Sequence, residues 1–194
     1  MVISIQKEDV VHIALGTGLV LMLPLVAMFL SDSVVWDLAD FIIAGCLLAG
    51  AGLLFKIVTG KVIRYDDSAS VDTSYRFAGG FAVFAVLALV WINLAVGIIG
   101  SENNTANLMY LGVIAVGFIG AFIARLRSHR MVYVMLAMAF AQTLTVIIAL
   151  VGGMHHYPGA SIAEIVNLNG FFVMLFLLSA QLFRFSGGAA DQAN

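Results

Sequence analysis

The amino-acid sequence predicts an all-α fold: a polytopic membrane protein whose bundle of six transmembrane helices is arranged as three helical hairpins. The first observation behind this prediction is composition. Apolar residues make up 62% of the chain and charged residues only 10%, against about 45–50% and about 25% in soluble domains. A small fold leaves much of its surface in contact with solvent, so a globule of 194 residues could not hide this many apolar side chains. Lipid is therefore the predicted solvent, and the bilayer the first predicted partner.

The second observation is that the apolar residues are grouped in six runs, each close to the roughly 20 residues that a membrane-spanning helix needs. The segment before the first run, Lys7-Glu8-Asp9, is not basic, and no small-x-small cleavage site follows the run, so we interpret it as a retained span and not as a signal peptide. Only short connections separate the runs. The sequence thus predicts one transmembrane domain, residues 1–185, followed by a disordered Gly/Ala-rich tail, residues 186–194. The predicted spans cover residues 10–30, 35–56, 76–100, 107–125, 131–153 and 164–184.

The basic residues predict the orientation of these spans. If six spans are drawn with both termini on one side, all nine Lys and Arg residues fall on that side. Cytoplasmic loops carry an excess of Lys and Arg, so this side is predicted to be the cytoplasm. We therefore expect a multi-pass protein of the cell membrane, the inner membrane of a bacterial-type cell, with cytoplasmic termini. The basic residues are Lys7, Lys56, Lys61, Arg64, Arg76, Arg125, Arg127, Arg130 and Arg184, and the outer connections carry Asp32, Glu102 and Glu164.

An internal repeat is suggested by two connections on the outer side. Residues 31–38 and 101–108 align without a gap, as Ser, an acidic residue, four variable positions, Asp or Asn, and Leu. Asn167-Leu168 stands at the matching place before the last span. This pattern predicts three hairpins in the same orientation, as in transporters built from parallel repeats.

Helix ends and small residues complete the predicted architecture. Ser161 and Glu164 match a capping box before the sixth span, and Asn104 or Thr105 can cap the fourth. Small residues recur at helical spacings and let backbones approach closely, within one chain or between chains. Because they are more numerous than one contact per helix requires, we expect a homo-oligomer. These residues are Gly45, Ala49, Gly52, Gly117, Gly120, Ala124, Ala137 and Ala141.

Polar side chains are concentrated in the outer halves of the spans, whereas residues 77–90 and 111–124 contain no side chain more polar than glycine. Polar groups are costly in hydrocarbon and normally face the bundle interior or a water-filled cavity. The sequence therefore predicts one outward-opening polar cup that binds a cation or a small polar ligand. Asn93 is expected to share a helical stripe with Gly97 and Gly100. The predicted cup residues are Asp37, Asp40, Asn93, Glu102, Asn107, Gln142, Glu164 and Asn167.

Two simpler interpretations stay open for these residues. Those near the surface could cap helices or meet headgroup water, and the deeper ones, such as Gln142, could form hydrogen bonds between helices. Trp36, Tyr110 and Tyr157 fit an outer aromatic belt.

Candidate metal and cofactor residues are few. His155 and His156 are adjacent and imidazole suits several transition metals, but no second ligand pair stands at a diagnostic spacing. Cys46 is the only cysteine and lies in an apolar run, which indicates a packing residue. No cofactor is identified, and a net charge of −2 gives no electrostatic reason to expect nucleic acid as a partner.

The leading functional hypothesis is a transporter or channel for a cation or a small polar solute. The alternative is an accessory or partner-binding membrane subunit without transport or enzymatic activity, which explains the apolar inner half without a pathway. An intramembrane enzyme is disfavoured: the Asp37/Asp40 pair could do acid–base work, but no catalytic motif identifies a substrate.

Overall fold

The computed structural model describes residues 6–31, 34–59 and 73–191, the last five of these by backbone alone. Within these ranges the structure is helical, with no strand. Lys61, Arg64 and Asp32 lie outside the described residues. Two short 3-10 helices, Thr105–Leu108 and Met154–His156, stand in the connections. The α-helices are α1 (Lys7–Leu30), α2 (Leu38–Thr59), α3 (Thr73–Ala95), α4 (Met109–Ala124), α5 (Ser128–Val151) and α6 (Ile162–Asp191).

Six helices of the described residues are long and apolar enough to cross a membrane. They correspond one to one with the six spans that the sequence predicts, so the prediction of an all-α, multi-pass membrane protein is confirmed. The agreement has a simple physical basis, because a helix that crosses hydrocarbon must satisfy its own backbone hydrogen bonds and present apolar side chains over the full thickness.

The chain forms two compact units, Met1–Ile57 and Val58–Asn194. In the first unit, α1 and α2 are antiparallel neighbours. Lys56 donates a hydrogen bond to Asp9 in an ion pair. A Cβ placed on Gly52 would lie 3.1 Å from the Ile13 side chain, and one on Gly45 would lie 3.6 Å from Leu21.

The second unit contains α3 to α6. Helix α6 packs along both α5 and α3, and α4 packs along α5, whereas α3 and α4 contact each other only slightly. Neighbouring helices therefore follow the order α3, α6, α5, α4, with Phe172, Phe176 and Met138 in a shared core. In this unit α5 and α6 form a tightly packed hairpin, but α3 and α4 do not. The equivalence of three hairpins stays a prediction.

Small residues bring α4 close to α5. A Cβ on Gly117 would lie 2.8 Å from the Met138 sulfur, and one on Gly120 would lie 2.8 Å from Val134 Cγ1. These glycines, like Gly45 and Gly52 in the first unit, are thus explained by packing within the chain. They give no separate reason to expect a second copy, and the homo-oligomer also stays a prediction.

Helix α3 ends earlier than the sequence predicts, at Ala95 instead of residue 100. Gly97 and Gly100 both have positive φ angles, +79° and +71°, which side-chain-bearing residues rarely adopt. The predicted helical stripe of Asn93, Gly97 and Gly100 is therefore wrong, because the two glycines turn the chain out of the helix.

Helix α6 ends later than predicted. It runs to Asp191, past residue 186, where the sequence predicts the start of a disordered tail. Ser186 itself is buried and its hydroxyl donates to the Phe183 carbonyl. The backbone helix thus continues into the Gly/Ala-rich segment. The disordered tail stays a prediction, and residues 192–194 lie outside the described residues.

One end of the second unit carries five arginines and is here called the arginine end. Hydrogen bonds between helices hold it: the Tyr75 hydroxyl donates to the Leu126 carbonyl (2.6 Å), the Ser128 hydroxyl donates to the Phe183 carbonyl (2.7 Å), and the Ser128 and Ser186 hydroxyls bond to each other. These bonds join α3, the α4–α5 turn, α5 and α6 at one level. The arginines of this end are Arg76, Arg125, Arg127, Arg130 and Arg184.

Candidate functional site

Four neutral polar side chains meet inside the second unit, and we call them the polar cluster: Tyr110 on α4, Gln142 and Thr145 on α5, and Asn169 on α6. The first, second and fourth are 0% exposed, and Thr145 is 6% exposed. Gln142 lies about 14 Å from the Val151 end of α5, at about 1.5 Å per residue. The cluster is therefore well inside a membrane-spanning segment and opposite to the arginine end.

Asn169 is the centre of the cluster. Its Oδ1 accepts hydrogen bonds from the Tyr110 hydroxyl (3.1 Å) and from Gln142 Nε2 (2.8 Å), and its Nδ2 donates to the Ile165 carbonyl (2.7 Å). The Thr145 hydroxyl donates to the Gln142 carbonyl (2.7 Å) and lies 3.5 Å from Asn169 Oδ1. One side chain thus connects α4, α5 and α6.

The position of Asn169 follows from the helical periodicity of α6. The buried residues Ile165, Asn169, Phe172, Phe176 and Phe183 recur three, four or seven positions apart, which places them on one face of the helix. On α5, Met138, Gln142 and Thr145 follow the same spacing. A polar residue in such a series faces neighbouring helices, where it needs a hydrogen-bond partner.

Gln142 keeps one polar atom without a partner. Its Oε1 is buried and accepts no hydrogen bond in the described structure. Buried carbonyl oxygens are nearly always paired, so this atom marks the place where the cluster is incomplete.

Asn93 and Asn107 are brought together beside the polar cluster, one turn before Tyr110. Asn93 Nδ2 donates to the Asn107 carbonyl (3.1 Å). Asn107 Oδ1 accepts from the Ile98 and Ile99 amides (3.1 and 2.9 Å). Its Nδ2 donates to the Ser101 carbonyl (2.8 Å). Asn107 therefore uses its side chain to organise the connection between α3 and α4.

Asp37 and Asp40 belong to the first unit and cap α2. The Asp37 amide donates to Asp40 Oδ2 and the Asp40 amide to Asp37 Oδ1, both at 2.9 Å. Both residues are exposed. The interpretation that polar residues near the surface cap helices accounts for this geometry, because the two carboxylates accept from free amides at the start of α2.

Glu102, Glu164 and Asn167 lie at the margin of the second unit. Glu102 is exposed and accepts a hydrogen bond from Asn103 Nδ2 (2.7 Å), and Asn167 is exposed on α6. The Glu164 amide donates to the Ser161 hydroxyl (3.1 Å), which is the Ser161 half of the predicted capping box. Among hydrogen bonds of the described residues, none links these three to Gln142. A single ligand bound by all eight predicted residues stays a prediction.

The two histidines stand against each other in the α5–α6 connection, with ring centroids 3.9 Å apart. In the described part of the chain no three His, Cys, Asp or Glu side chains come together as a metal site would require. Metal binding at His155 and His156 therefore stays a prediction for which the described residues supply no third ligand.

For two members of the polar cluster the structure differs from the prediction made from sequence. Tyr110 was expected in an aromatic belt; it is instead buried and bonded to Asn169, so that expectation is wrong. The sequence predicts Asn167 as the cup residue on α6, whereas the structure places Asn169 in the polar cluster. The period of the buried residues on α6 distinguishes the two asparagines, and it is seen only in the structure because the lipid-facing side of the helix is apolar as well.

Comparisons with known proteins give no family: no family model, no curated protein and no solved structure matches the chain. The chain is a multi-pass integral membrane protein whose second unit encloses a neutral polar cluster.

Proposed function

We propose that the protein binds a small polar solute within the membrane, as the central step of transporting it across the bilayer. The observation that carries this proposal is the polar cluster, because polar side chains deep in a spanning segment are costly and this cluster keeps one buried acceptor, Gln142 Oε1, without a partner among the described residues. The cluster favours a neutral solute over a cation, because its four side chains are uncharged and, among the described residues, no carboxylate is hydrogen-bonded to them.

The distribution of polar groups supports access from the end opposite to the arginines. Asn107 and Asn93 lie next to the cluster on that side, one turn from Tyr110. Toward the arginine end, residues 111–124 and 77–90 are apolar, and the hydrogen bonds of Tyr75 and Ser128 close the helices against each other. A solute would therefore enter from the amide-rich side, and passage to the other side would require this closed end to open.

The closed arginine end also favours a second candidate, an accessory membrane subunit without transport. Such a protein needs a stable bundle but no pathway, and a satisfied hydrogen bond such as that between Tyr75 and Leu126 contributes to stability alone. A flux measurement separates the two candidates.

Proteoliposomes should take up glycerol or urea faster than protein-free liposomes, as followed by stopped-flow light scattering. Replacing Gln142 by leucine should weaken solute binding by about 1.4 kcal/mol, which corresponds to a factor of ten. The protein-dependent uptake rate should therefore fall about tenfold. Thr143→Val is the matched control, since Thr143 is exposed on the same helix and its hydroxyl bonds only to the Ala139 carbonyl.

Two results would contradict transport of a neutral solute. Uptake of potassium or sodium without any uptake of glycerol or urea would replace the neutral solute by a cation. Absence of all of these fluxes, with the protein correctly folded, would leave the accessory subunit as the better account.

We further propose that both termini are cytoplasmic. Five arginines at one end of the second unit support this orientation, because basic residues are retained on the cytoplasmic side. In a Cys46→Ala background, Arg127→Cys should react with a membrane-impermeant thiol reagent only from the cytoplasmic side and Ser101→Cys only from the opposite side. Both wild-type residues are exposed. Reaction of both cysteines from the same side would contradict six spans.

A further inference from the structure

We infer that Gln142 Oε1 accepts a hydrogen bond from the bound solute, so that the site selects neutral molecules carrying an N–H or O–H donor. This inference rests on the proposed function and names its substrate class. It starts from one atom: a fully buried carbonyl oxygen, in the polar cluster, without a partner in the described structure.

The chemistry of the neighbouring groups identifies which atom of the Gln142 amide is unpaired. The assignment therefore does not depend on how the oxygen and nitrogen of either amide are placed. The Ile165 carbonyl can only accept, so Asn169 must turn its Nδ2 toward it. Asn169 Oδ1 then faces Gln142 and can only accept, so Gln142 must present Nε2. Oε1 of Gln142 is thereby directed away from Asn169. Reversing either amide would bring two oxygens together.

Two other buried side-chain atoms, Ser179 Oγ and His155 Nδ1, have no partner in the described structure, but only the Gln142 oxygen belongs to the polar cluster. A serine hydroxyl on a helix can rotate to the carbonyl four residues earlier and satisfy itself. Gln142 has no such freedom, because turning its amide breaks the bond to Asn169. Its oxygen can be satisfied only by a group that arrives from outside the cluster.

That group must be a donor, because a carbonyl oxygen only accepts. It is neutral, because a cation stripped of its water would meet one unpaired oxygen and no carboxylate among its bonded neighbours. An O–H or N–H donor can come from a buried water or from the solute itself, and the two are distinguished by experiment.

The test compares two probes of nearly the same shape, acetamide and acetone, of which only acetamide is a donor. With wild-type protein in lipid nanodiscs, saturation-transfer NMR should show protein-dependent binding of acetamide and none of acetone. In Gln142→Met the acetamide signal should fall at least to the acetone level, and in Thr143→Val it should persist. The comparison of probes on the wild type remains decisive even if Gln142→Met does not fold.

Three outcomes would overturn the inference, and they differ in what they imply for transport. If glycerol or urea is transported but acetamide and acetone give equal signals, only the selection for N–H or O–H donors is contradicted. A structure determined with acetamide could show an ordered water still bound to Oε1. If the NMR experiment then also shows no acetamide signal, the atom is a water site only. Absence of flux for every solute, together with no acetamide signal, removes the proposed function and this inference together.

Discussion

Alanine at position 97 is expected to destabilise the second unit by about 3 kcal/mol or more, because the change combines a strained backbone with the loss of buried hydrogen bonds. Gly97 has a φ of +79°. A Cβ built there would lie 2.5 Å from the carbonyl carbon and oxygen of Ser101 and 2.7 Å from the Glu102 nitrogen. These are backbone atoms, which cannot move aside as the tip of a side chain can.

The damage should spread from Gly97 to the next residues of the connection. The Ile98 and Ile99 amides are buried and donate to Asn107 Oδ1, so a shift of the chain would leave them without an acceptor. Gly112→Ala is the matched control, because a Cβ on this α4 residue would meet nothing within 4 Å. The free energy of unfolding in bicelles should fall for Gly97→Ala and stay within about 1 kcal/mol of wild type for Gly112→Ala. Equal stabilities would contradict the described connection.

The second large effect is expected at Asn169, where replacement by leucine should cost about 2–4 kcal/mol of folding free energy. Leucine has a similar shape but no polar atoms, so the Tyr110 hydroxyl and Gln142 Nε2 would both lose their acceptor in a fully buried place. A single hydrogen bond between membrane helices contributes only modestly to stability. Here, however, one substitution removes the acceptor of a side chain on α4 and of a side chain on α5.

Asn167→Leu is the control for this prediction, since it is the same substitution two residues away on the same helix. Asn167 is exposed, and a leucine there should leave stability unchanged or slightly higher in lipid. The free energy of unfolding is measured for Asn169→Leu and Asn167→Leu in bicelles, as for Gly97→Ala, and the two values are compared. If Asn167→Leu were the more destabilising of the two, the rotation of α6 described above would be wrong.

The pair Asn167 and Asn169 shows where reasoning from sequence reached its limit. An amphipathic helix of a soluble protein reveals its buried face by an apolar stripe. In a membrane both the core and the lipid face are apolar, so the contrast that identifies the buried face is weak. The alignment of Asn167 with Asn107 then suggested a repeat, although the structure uses the two residues differently: Asn107 is buried in a connection and Asn167 is exposed.

Local hydrogen bonds were easier to predict than distant ones. Ser161 caps α6 and Asn104 caps the 3-10 helix before α4, where its Oδ1 accepts from the Ala106 amide (3.0 Å). Each cap involves residues two or three positions apart, so the pattern in the sequence contains all its partners. The bond between Tyr110 and Asn169 joins residues 59 positions apart and has no such pattern.

By itself the sequence determined that this protein is all-helical, that it has six membrane-spanning helices and where most of them begin and end. The bilayer imposes length and apolarity on each helix separately, so these properties can be read without knowing the neighbours. Only the tertiary structure decided that α4 lies against α5 and α3 against α6, that Tyr110 and Asn169 face the core, and that Gln142 keeps an oxygen without a partner in the described part of the chain. Those features depend on the rotation of each helix about its axis and on which helix it meets, and small residues such as Gly117 and Gly120 set that contact only in three dimensions.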